Sequence, residues 1–363
     1  GACYTRYRDF DSIYTATLEE GGIMQARHTR VRIVYNKEDI SEQIAPFLDS
    51  FDFKDSADSI ADDMSLSLED RKELWESDWF PDKGATLKAS LIFTNWGTEG
   101  DVEIPIGIFE VDEIEVSGLP HKVKIKAVSV PSNNELRGAK KNRAWEKVKL
   151  SAIAKEIADR AGIGLYLNMR DDEEIERLEQ KDESDLAFLT RVAKEKGYGV
   201  KLSDSQLDVY YIPDLDNLDP VLTIKKAATK IKSYSFRSKT RDIYKACHVK
   251  YENAKKGQTI EYTFEDVSKE DGQILEVHKE VADVAEAEKL AKGELREKNK
   301  DEVTGRIALT GAVSNSMLMA GLTVQVEDFH KFDGKYLITS TSHSVSSSGY
   351  SCNIDMRRCL NGY

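Results

Sequence analysis

QKDESDLAFLTRVAKEKGYG, residues 180–199, carries the clearest local signal in the chain. Its apolar positions recur every three or four residues, as on the buried face of an amphipathic helix: Leu186, Leu189, Val192 and Ala193. Ser184 precedes this stripe and is a preferred N-cap residue, while Gly197 follows it and suits a helix end. The stretch therefore predicts a helix from Asp185 to Lys196.

The flanking sequence extends this helix into a small α/β module. An earlier 3.6-residue stripe, bounded by Gly162, predicts another helix near residues 150–161. Downstream, Val200 to Leu202 and Leu207 to Ile212 alternate like two short strands. The stretch Pro213 to Pro220 is rich in Asp and Pro, which is typical of a linker.

Strand patterns fill the sequence on both sides of this module. Short alternating segments run from Thr29 to about Val130, and they resume from Cys247 to Met356. One helical stripe interrupts the last third, at about Ala282 to Lys298. The order is β, then α/β, then β, without the run of βαβ units that a doubly wound sheet requires.

We therefore expect a β-rich α+β protein, with two barrel-like β domains and a small α/β domain between them. The predicted divisions are an N-terminal arm at 1–23, a first β domain at 24–148, the α/β domain at 149–220, and a second β domain at 221–363 with one inserted helix. The arm has no sustained periodicity. It is either held by a neighbouring subunit or an upstream extension without a function.

The composition argues against several classes of protein. The chain has 52 Lys and Arg against 65 Asp and Glu, a net charge of −13, which disfavours a basic nucleic-acid-binding protein. No run approaches the ~18 apolar residues of a membrane span, and no signal peptide is recognisable. The four cysteines form no CxxC pair and lie at no zinc-ligand spacing, so we expect free thiols, and neither a metal nor a cofactor.

The sequence offers only weak candidates for catalysis. Asp62-Asp63 and the acidic run at 171–174 could supply paired carboxylates, but such runs are usually solvated surface. Cys247 and His248 are neighbours on a predicted strand and should point to opposite faces. The cluster of Lys140, Lys141 and Arg143 is short, and a solvated loop explains it better than nucleic-acid binding. We expect no enzymatic activity.

Aromatic residues between Glu69 and Phe80 leave two interpretations open. A helical excursion carrying Trp75, Trp79 and Phe80 could cap the first barrel, or it could expose aromatic rings to a partner. A weaker third interpretation is a carbohydrate-binding module that uses Trp75 and Trp79 as stacking platforms.

The helix quoted first resembles a signature of contractile-tail hub proteins, the phage late-control D family and the related VgrG spike proteins. In that signature, an E-S-D-x-x-F-L helix is followed by Gly and a strand. Matching residues are Glu183, Ser184, Asp185, Phe188, Leu189 and Gly197. The segment 39–53 is similar to the first strand pair of the family, and the segment 319–350 to its last barrel, through Gly321, Gly334, Tyr336 and His343.

The resemblance implies a structural baseplate hub of a contractile injection system, whether phage, prophage-like particle or R-type bacteriocin. Such a hub is a homotrimeric ring that adapts a hexameric tail tube to a trimeric spike. The implied partners are a spike or puncturing protein, a tube or tube-initiator protein, baseplate wedge proteins and a tape measure protein. Neither membrane insertion nor sequence-specific nucleic-acid binding is implied.

The resemblance also implies where the protein occurs and what it lacks. It would assemble in the bacterial host cytoplasm and become part of the tail or virion, with any piercing tip or lytic enzyme on other chains. The alternative function is a tail-associated peptidoglycan hydrolase. A ring would enclose a lumen, and the acidic excess predicts net acidic lumen-facing side chains, although solubility alone would explain most of that excess.

Overall fold

The computed structural model of the chain describes residues 27–57, 61–96, 100–129, 136, 138–203, 205–227, 229–253, 258–310 and 317–363. The predicted arm at 1–23 lies outside these residues. Five α-helices occur in the described part: α1 Ser41–Ile44, α2 Leu150–Ala161, α3 Asp185–Glu195, α4 Ile212–Asp216 and α5 Val284–Asn299. Two short 3₁₀ turns lie at Ala45–Phe47 and His330–Phe332.

Strands make up most of the regular structure. The first third contributes β1 His28–Tyr35, β2 Glu38–Asp39, β3 Leu48–Ser56, β4 Asp63–Glu69, β5 Thr86–Thr94, β6 Asp101–Ser117 and β7 Lys122–Val128. The middle contributes β8 Lys141–Lys149, β9 Gly164–Asn168, β10 Glu174–Glu183, β11 Tyr198–Ser203 and β12 Gln206–Tyr211. The remainder are β13 Leu222–Lys225, β14 Ile231–Ser238, β15 Tyr244–Asn253, β16 Gln258–Glu265, β17 Gln273–Val277, β18 Val303–Thr310, β19 Thr323–Glu327, β20 Gly334–Ser346 and β21 Gly349–Arg358.

One 13-stranded sheet combines strands from both ends of the sequence. Its order is β14-β18-β21-β20-β3-β4-β7-β6-β5-β1-β2, and β19 pairs with both β20 and β13. Alternation explains which face is buried: in β4, Met64, Leu66 and Leu68 lie in the core, while the serines between them are more accessible. The strands predicted from period-two patterns are thus confirmed.

The pairing of β3 with β20 joins the first and last thirds, and we call this pairing the seam. It runs antiparallel from Ser56 opposite Ser340 to Ser50 opposite Ser346. Both thirds also share one hydrophobic core, in which Phe93 of β5 meets Tyr350 of β21 edge to face at 5.1 Å. The β-rich α+β class is confirmed. The two separate barrels are not confirmed, because 13 of the described strands, drawn from the first and last thirds, share one sheet that runs from β14 to β2.

The middle module has its own core of two helices and two small sheets. Helices α2 and α3 pack with the sheet β11-β12-β9, in which β12 and β9 run parallel. Gly162 ends α2 with φ +67°, as its position after the apolar stripe predicted. Strand β8 pairs with β10 in a two-stranded ribbon, so residues 141–148 belong structurally with this module although the sequence placed them in the first β domain.

The helix predicted in the last third packs on a sheet of its own. Helix α5 covers the sheet β16-β15-β17 through Ala287, Ala291 and Leu295, which are fully buried. Cys247 and Val249 of β15 complete this third core. Between β14 and β18 the chain therefore forms a three-stranded sheet in addition to the predicted inserted helix.

The predicted linker at 213–220 begins within the short helix α4 and contains one buried anchor residue. Asp216 ends the short helix α4, and Arg357 of β21 donates to both of its carboxylate oxygens at 2.8 and 3.1 Å. Arg296 of α5 donates to the same carboxylate. All three side chains are nearly excluded from solvent, so this Asp216 cluster ties α4, the large sheet and α5 together. The Asp and Pro content that indicated a linker gave no sign of two arginines supplied from elsewhere in the chain.

Replacing Asp216→Asn should destabilise the protein strongly, because two guanidinium groups would remain buried without a counter-charge. Removing one member of a buried ion pair typically costs about 3–5 kcal/mol. Urea unfolding followed by circular dichroism measures the change. Asp159→Asn is the matched control: it breaks the exposed helical pair with Lys155 and should cost less than about 0.5 kcal/mol. Equal losses in the two variants would contradict the clamping role of Asp216.

Candidate functional site

The signature helix α3 is capped as its sequence predicted. The Ser184 hydroxyl accepts a hydrogen bond from the Ala187 amide at 3.2 Å, and Lys196 is the C-cap residue. Gly197 follows with φ +81°, a left-handed conformation that glycine adopts without strain. Glu183, just before the cap, pairs with Arg191 at 2.6 Å.

Asp185 of the signature is a buried charge with three partners. Its carboxylate accepts hydrogen bonds from Lys141 at 2.6 Å, Arg160 at 2.7 Å and Gln180 at 2.9 Å. Burial acts to raise the pKa of Asp185, but the hydrogen bonds from Lys141 and Gln180 outweigh it and hold that pKa below its ordinary value. The residue therefore links α3 to α2 and to the β8-β10 ribbon as a structural anion.

The remaining signature residues on α3 are packing residues. Phe188 and Leu189 are fully buried, and the Phe188 ring stacks on Trp145 with a centroid distance of 6.0 Å. The Arg143 guanidinium lies over the Trp145 ring, 3.6 Å from its centroid, and pairs with Glu156. Since Lys141 and Arg143 are both engaged with carboxylates of this chain, the basic cluster noted in the sequence is largely neutralised.

Of the predicted residues in the last third, Gly334, Tyr336 and His343 lie in β20 of the large sheet, and Gly321 lies in the turn before β19. Gly321 and Gly334 have φ of +89° and +145°, and Tyr336 is fully buried with its hydroxyl donating to the Phe332 carbonyl at 2.8 Å. His343 lies at the seam, 2.8 Å from the Tyr350 hydroxyl and 3.1 Å from that of Thr341. Burial lowers the pKa of His343 to about 4, which keeps the ring neutral.

A buried charge cluster that sequence reasoning missed lies where the three parts of the chain meet. Lys201 of β11 pairs with Asp55 of β3 and with Asp62, the latter at 3.0 Å, and all three side chains are at most 4% exposed. The Ala320 amide donates to Asp55 at 2.8 Å. One signal was available in the sequence: Asp55 continues the alternation of Phe51 and Phe53, which places its carboxylate on the core face.

This Asp55 cluster holds two carboxylates and one ammonium group, so its charges do not balance. Burial, with the neighbouring Asp55 carboxylate, raises the pKa of Asp62 to about 7. Burial acts in the same direction on Asp55, but the Lys201 ammonium outweighs it and keeps the pKa of Asp55 below its ordinary value. Asp62 is therefore the carboxyl that takes up a proton.

The candidate catalytic residues are occupied by structural contacts. Asp62 is buried with Lys201 while Asp63 faces solvent. In the acidic run, Asp171 and Glu173 pair with Lys289, and Asp172 accepts from the Ser151 hydroxyl. Within the residues that the structure describes, no three His, Cys, Asp or Glu side chains form a group that could hold a metal ion.

The cysteines of the described residues are buried free thiols. Burial raises the pKa of Cys247 to about 11 and those of Cys352 and Cys359 to about 12, so none of the three is a ready nucleophile. Cys247 lies in the core beneath α5, whereas the His248 ring contacts the Thr263 hydroxyl at 2.8 Å. The two neighbours do not form a nucleophile–base pair.

The aromatic segment 70–80 forms turns and contains no helix, which corrects the predicted helical excursion. The Asp70 carboxylate accepts from the amides of Leu74 and Trp75, and this arrangement closes the turn. Trp75 is 6% exposed and meets Trp79 at 86° and 5.4 Å, so the pair offers no flat stacking platform for a sugar. Trp75 caps the core, while Trp79 and the adjacent Phe80 remain partly accessible.

Stability should respond to pH through Asp62. Between its ordinary pKa near 4 and about 7, the folded state holds a proton that the unfolded state has released, so stability should fall as pH rises across this window. The slope for one proton is at most about 1.4 kcal/mol per pH unit. Urea unfolding at pH 4.5, 5.5, 6.5 and 7.5 measures it. Asp62→Asn should remove this component, and an unchanged slope in that variant would refute the assignment.

Comparison with known proteins places the chain in one family. The family model described as phage tail baseplate hub (GPD) matches residues 126–349, more than half of the chain. The probable baseplate hub protein of Escherichia phage 186 is 28% identical over 179 residues. That alignment covers 48% of this chain and 43% of the relative, so the chain matches less than half the length of that protein.

Solved structures share the fold. The 43 kDa tail protein of prophage MuSo2 from Shewanella oneidensis superposes with a TM-score of 0.69 at 15% identity, over 91% of this chain and 98% of that one. A tail protein from Neisseria meningitidis MC58 gives a TM-score of 0.67 at 14% identity, over 91% and 97% of the two chains. The family-model match over residues 126–349 identifies the chain as a member of the phage tail baseplate hub (GPD) family.

Proposed function

We propose that the chain is a structural tail hub, a component of a phage tail or phage-tail-like particle. The observation that carries the proposal is the family match across residues 126–349, which spans both the α/β module and most of the last third. The buried charges support it, because the Asp55, Asp185 and Asp216 carboxylates are all held by cations of the same chain. Ion pairs that join separate parts of the chain suit a structural adapter.

The hub would act as a homotrimeric ring between a hexameric tube and a trimeric spike. In this arrangement the divisions 24–148 and 221–363 each contribute one similar unit, which gives six units per trimer, and 149–220 forms the domain between them. The open ends of the large sheet support the idea, since exposed strand edges recruit further strands. The ten signature residues would hold these units in shape rather than contact substrate.

The partners follow from this position. They are a spike or puncturing protein, a tube or tube-initiator protein, baseplate wedge proteins and a tape measure protein. No helix in the described part of the chain is long and apolar enough to span a bilayer. The particle would be a phage, a prophage-like particle or an R-type bacteriocin, assembled in the cytoplasm of its host.

Mass measurement by light scattering tests the ring. The purified chain alone should have a mass three times the 40.9 kDa of one chain or a multiple of that value, and its complex with tube and spike proteins should contain three copies of it or a multiple of three. A species that stays monomeric at micromolar concentration with both partners present would contradict the trimer. The protein should also leave purified cell wall intact. Clearing of the wall that one Asp or Glu substitution abolishes would instead support the peptidoglycan hydrolase.

A further inference from the structure

Among the lysines that the structure describes, only Lys201 has a buried side chain. Its Nζ atom contacts Oδ1 of Asp55 directly and lies 3.0 Å from Oδ1 of Asp62. The side chains of these two aspartates are 1% and 4% exposed, so bulk water is excluded from all three groups. The Asp55 cluster therefore holds one amine against two carboxyl groups in a dry site, which is an arrangement of possible reactants as well as an ion pair.

The Asp55 carboxyl is fixed in one orientation relative to the amine. The Ala320 amide donates to Oδ2 at 2.8 Å, while Oδ1 faces Lys201. A backbone N–H at this position polarises the carboxyl group and stabilises the negative charge that develops on Oδ2 when a nucleophile attacks the carbon. Oδ1, which faces the amine, is then the oxygen that can leave.

Asp62 carries the proton that such a reaction needs. Burial raises the pKa of Asp62 to about 7, and a side-chain hydrogen bond joins Asp62 to Asp55. Transfer of one proton from the Lys201 ammonium to Asp55 would make all three groups neutral, a change that burial favours. The neutral amine is the nucleophilic form of lysine, and a protonated carboxyl beside it can relay protons to a leaving oxygen.

We propose that Lys201 and Asp55 join in an intramolecular isopeptide bond, and that Asp62 is the acid–base catalyst of this step. The neutral amine attacks Cγ of the protonated Asp55 carboxyl, and a bond forms between Nζ and Cγ. Asp62 accepts one proton from the nitrogen and donates one to Oδ1, so that the bond between Cγ and Oδ1 breaks and one water leaves. Nothing is oxidised or reduced, and no other reactant is required.

The other two buried carboxylates lack this combination of groups. Asp216 pairs with Arg296 and Arg357, whose guanidinium groups stay charged and are not nucleophiles. Asp185 contacts Lys141, but that lysine side chain is 26% exposed, and Arg160 binds the same carboxylate oxygen. A permanent charge on Arg160 keeps Asp185 ionised, and an ionised carboxylate resists attack by an amine. We therefore expect a bond at Asp55 and ion pairs at the other two sites.

The bond would connect parts of the chain that are distant in sequence. Asp55 and Lys201 are 146 positions apart, the first on β3 and the second on β11 of the middle module. A covalent link would keep these two parts together under conditions that dissociate an ion pair. This inference goes beyond the hub role, and it holds for a single chain as well as for a ring because all three residues belong to one chain.

Intact-mass measurement of the purified full chain tests the proposal, with circular dichroism to show that the chain is folded. We expect a mass below that of the sequence by one water, about 18 Da. Lys201→Arg keeps the positive charge but removes the nucleophile, and it should have its full sequence mass. Lys141→Arg makes the same change in the Asp185 contact and should keep the deficit, so it is the matched control. Tryptic digestion of the wild-type chain should release a branched peptide that joins Lys201 to Asp55.

A second pair of variants tests the catalyst. Asp62→Asn leaves both reactants in place but removes the acid, so the linked fraction should fall at least about tenfold after equal incubation. Asp63→Asn changes the exposed neighbour and should link like the wild type.

The wild-type measurement decides the proposal without any variant. A folded wild-type chain at its full sequence mass would overturn the isopeptide bond. A deficit that persists in Lys201→Arg, or that lacks the branched peptide, would also overturn it, because loss of water at an aspartate can form a succinimide instead. Equal linkage in Asp62→Asn and the wild type would refute the role of Asp62.

Discussion

The buried pairing of Lys201 with Asp55 is the contact on which the arrangement of the whole chain depends. Asp55 lies on the seam strand β3, Lys201 on the middle module, and the Ala320 amide that completes the carboxylate shell belongs to the last third. A charge buried this deeply is tolerated only when its partners are in place. The first third therefore supplies the buried carboxylate, the middle module supplies its counter-charge, and the last third supplies a hydrogen-bond donor.

Two other buried carboxylates, Asp185 and Asp216, also pair with cations from separate parts of the chain. Asp216 pairs with arginines of β21 and α5. Asp185 pairs with Arg160 of α2 and with Lys141, the first residue of β8. Apolar surfaces can slide past one another at modest cost, whereas the bidentate contact of Arg357 with Asp216 and the several hydrogen bonds to Asp185 fix distances and angles. The three clusters thus set the geometry between units whose separate cores would otherwise permit several arrangements.

Much of the local structure could be predicted from the sequence, because period and capping are local properties. The helices at 185 and 284, the caps of the first of them and most strands follow from apolar spacing and from residues such as Ser184 and Gly197. The turns at 70–80 were mispredicted because charged residues among aromatics imitate a helical stripe, and the Asp70 cap that decides the conformation acts through backbone amides. The signature residues were found by resemblance to a family, and their burial explains why that pattern exists.

What could not be predicted depends on partners far away in the chain. The sequence near Pro213 does not predict that Asp216 will pair with Arg296 and Arg357. The alternation in β3 predicts which side chains are buried, but not that β3 will pair with β20. The same reason explains why two barrels were expected, whereas strands of the first and last thirds share one large sheet. Asp55 is an exception, because its position in the alternation of β3 predicts that its carboxylate lies on the buried face.

The seam also constrains how the molecule comes into being. Ser50 pairs with Ser346, so β3, which pairs with β4 along its other edge, meets β20 only after nearly all of this sequence has left the ribosome. Until then β3 has an apolar face and an unsatisfied edge, the features that promote aggregation of nascent chains. Biogenesis of the protein in its host would therefore benefit from a chaperone that shields the first third during translation.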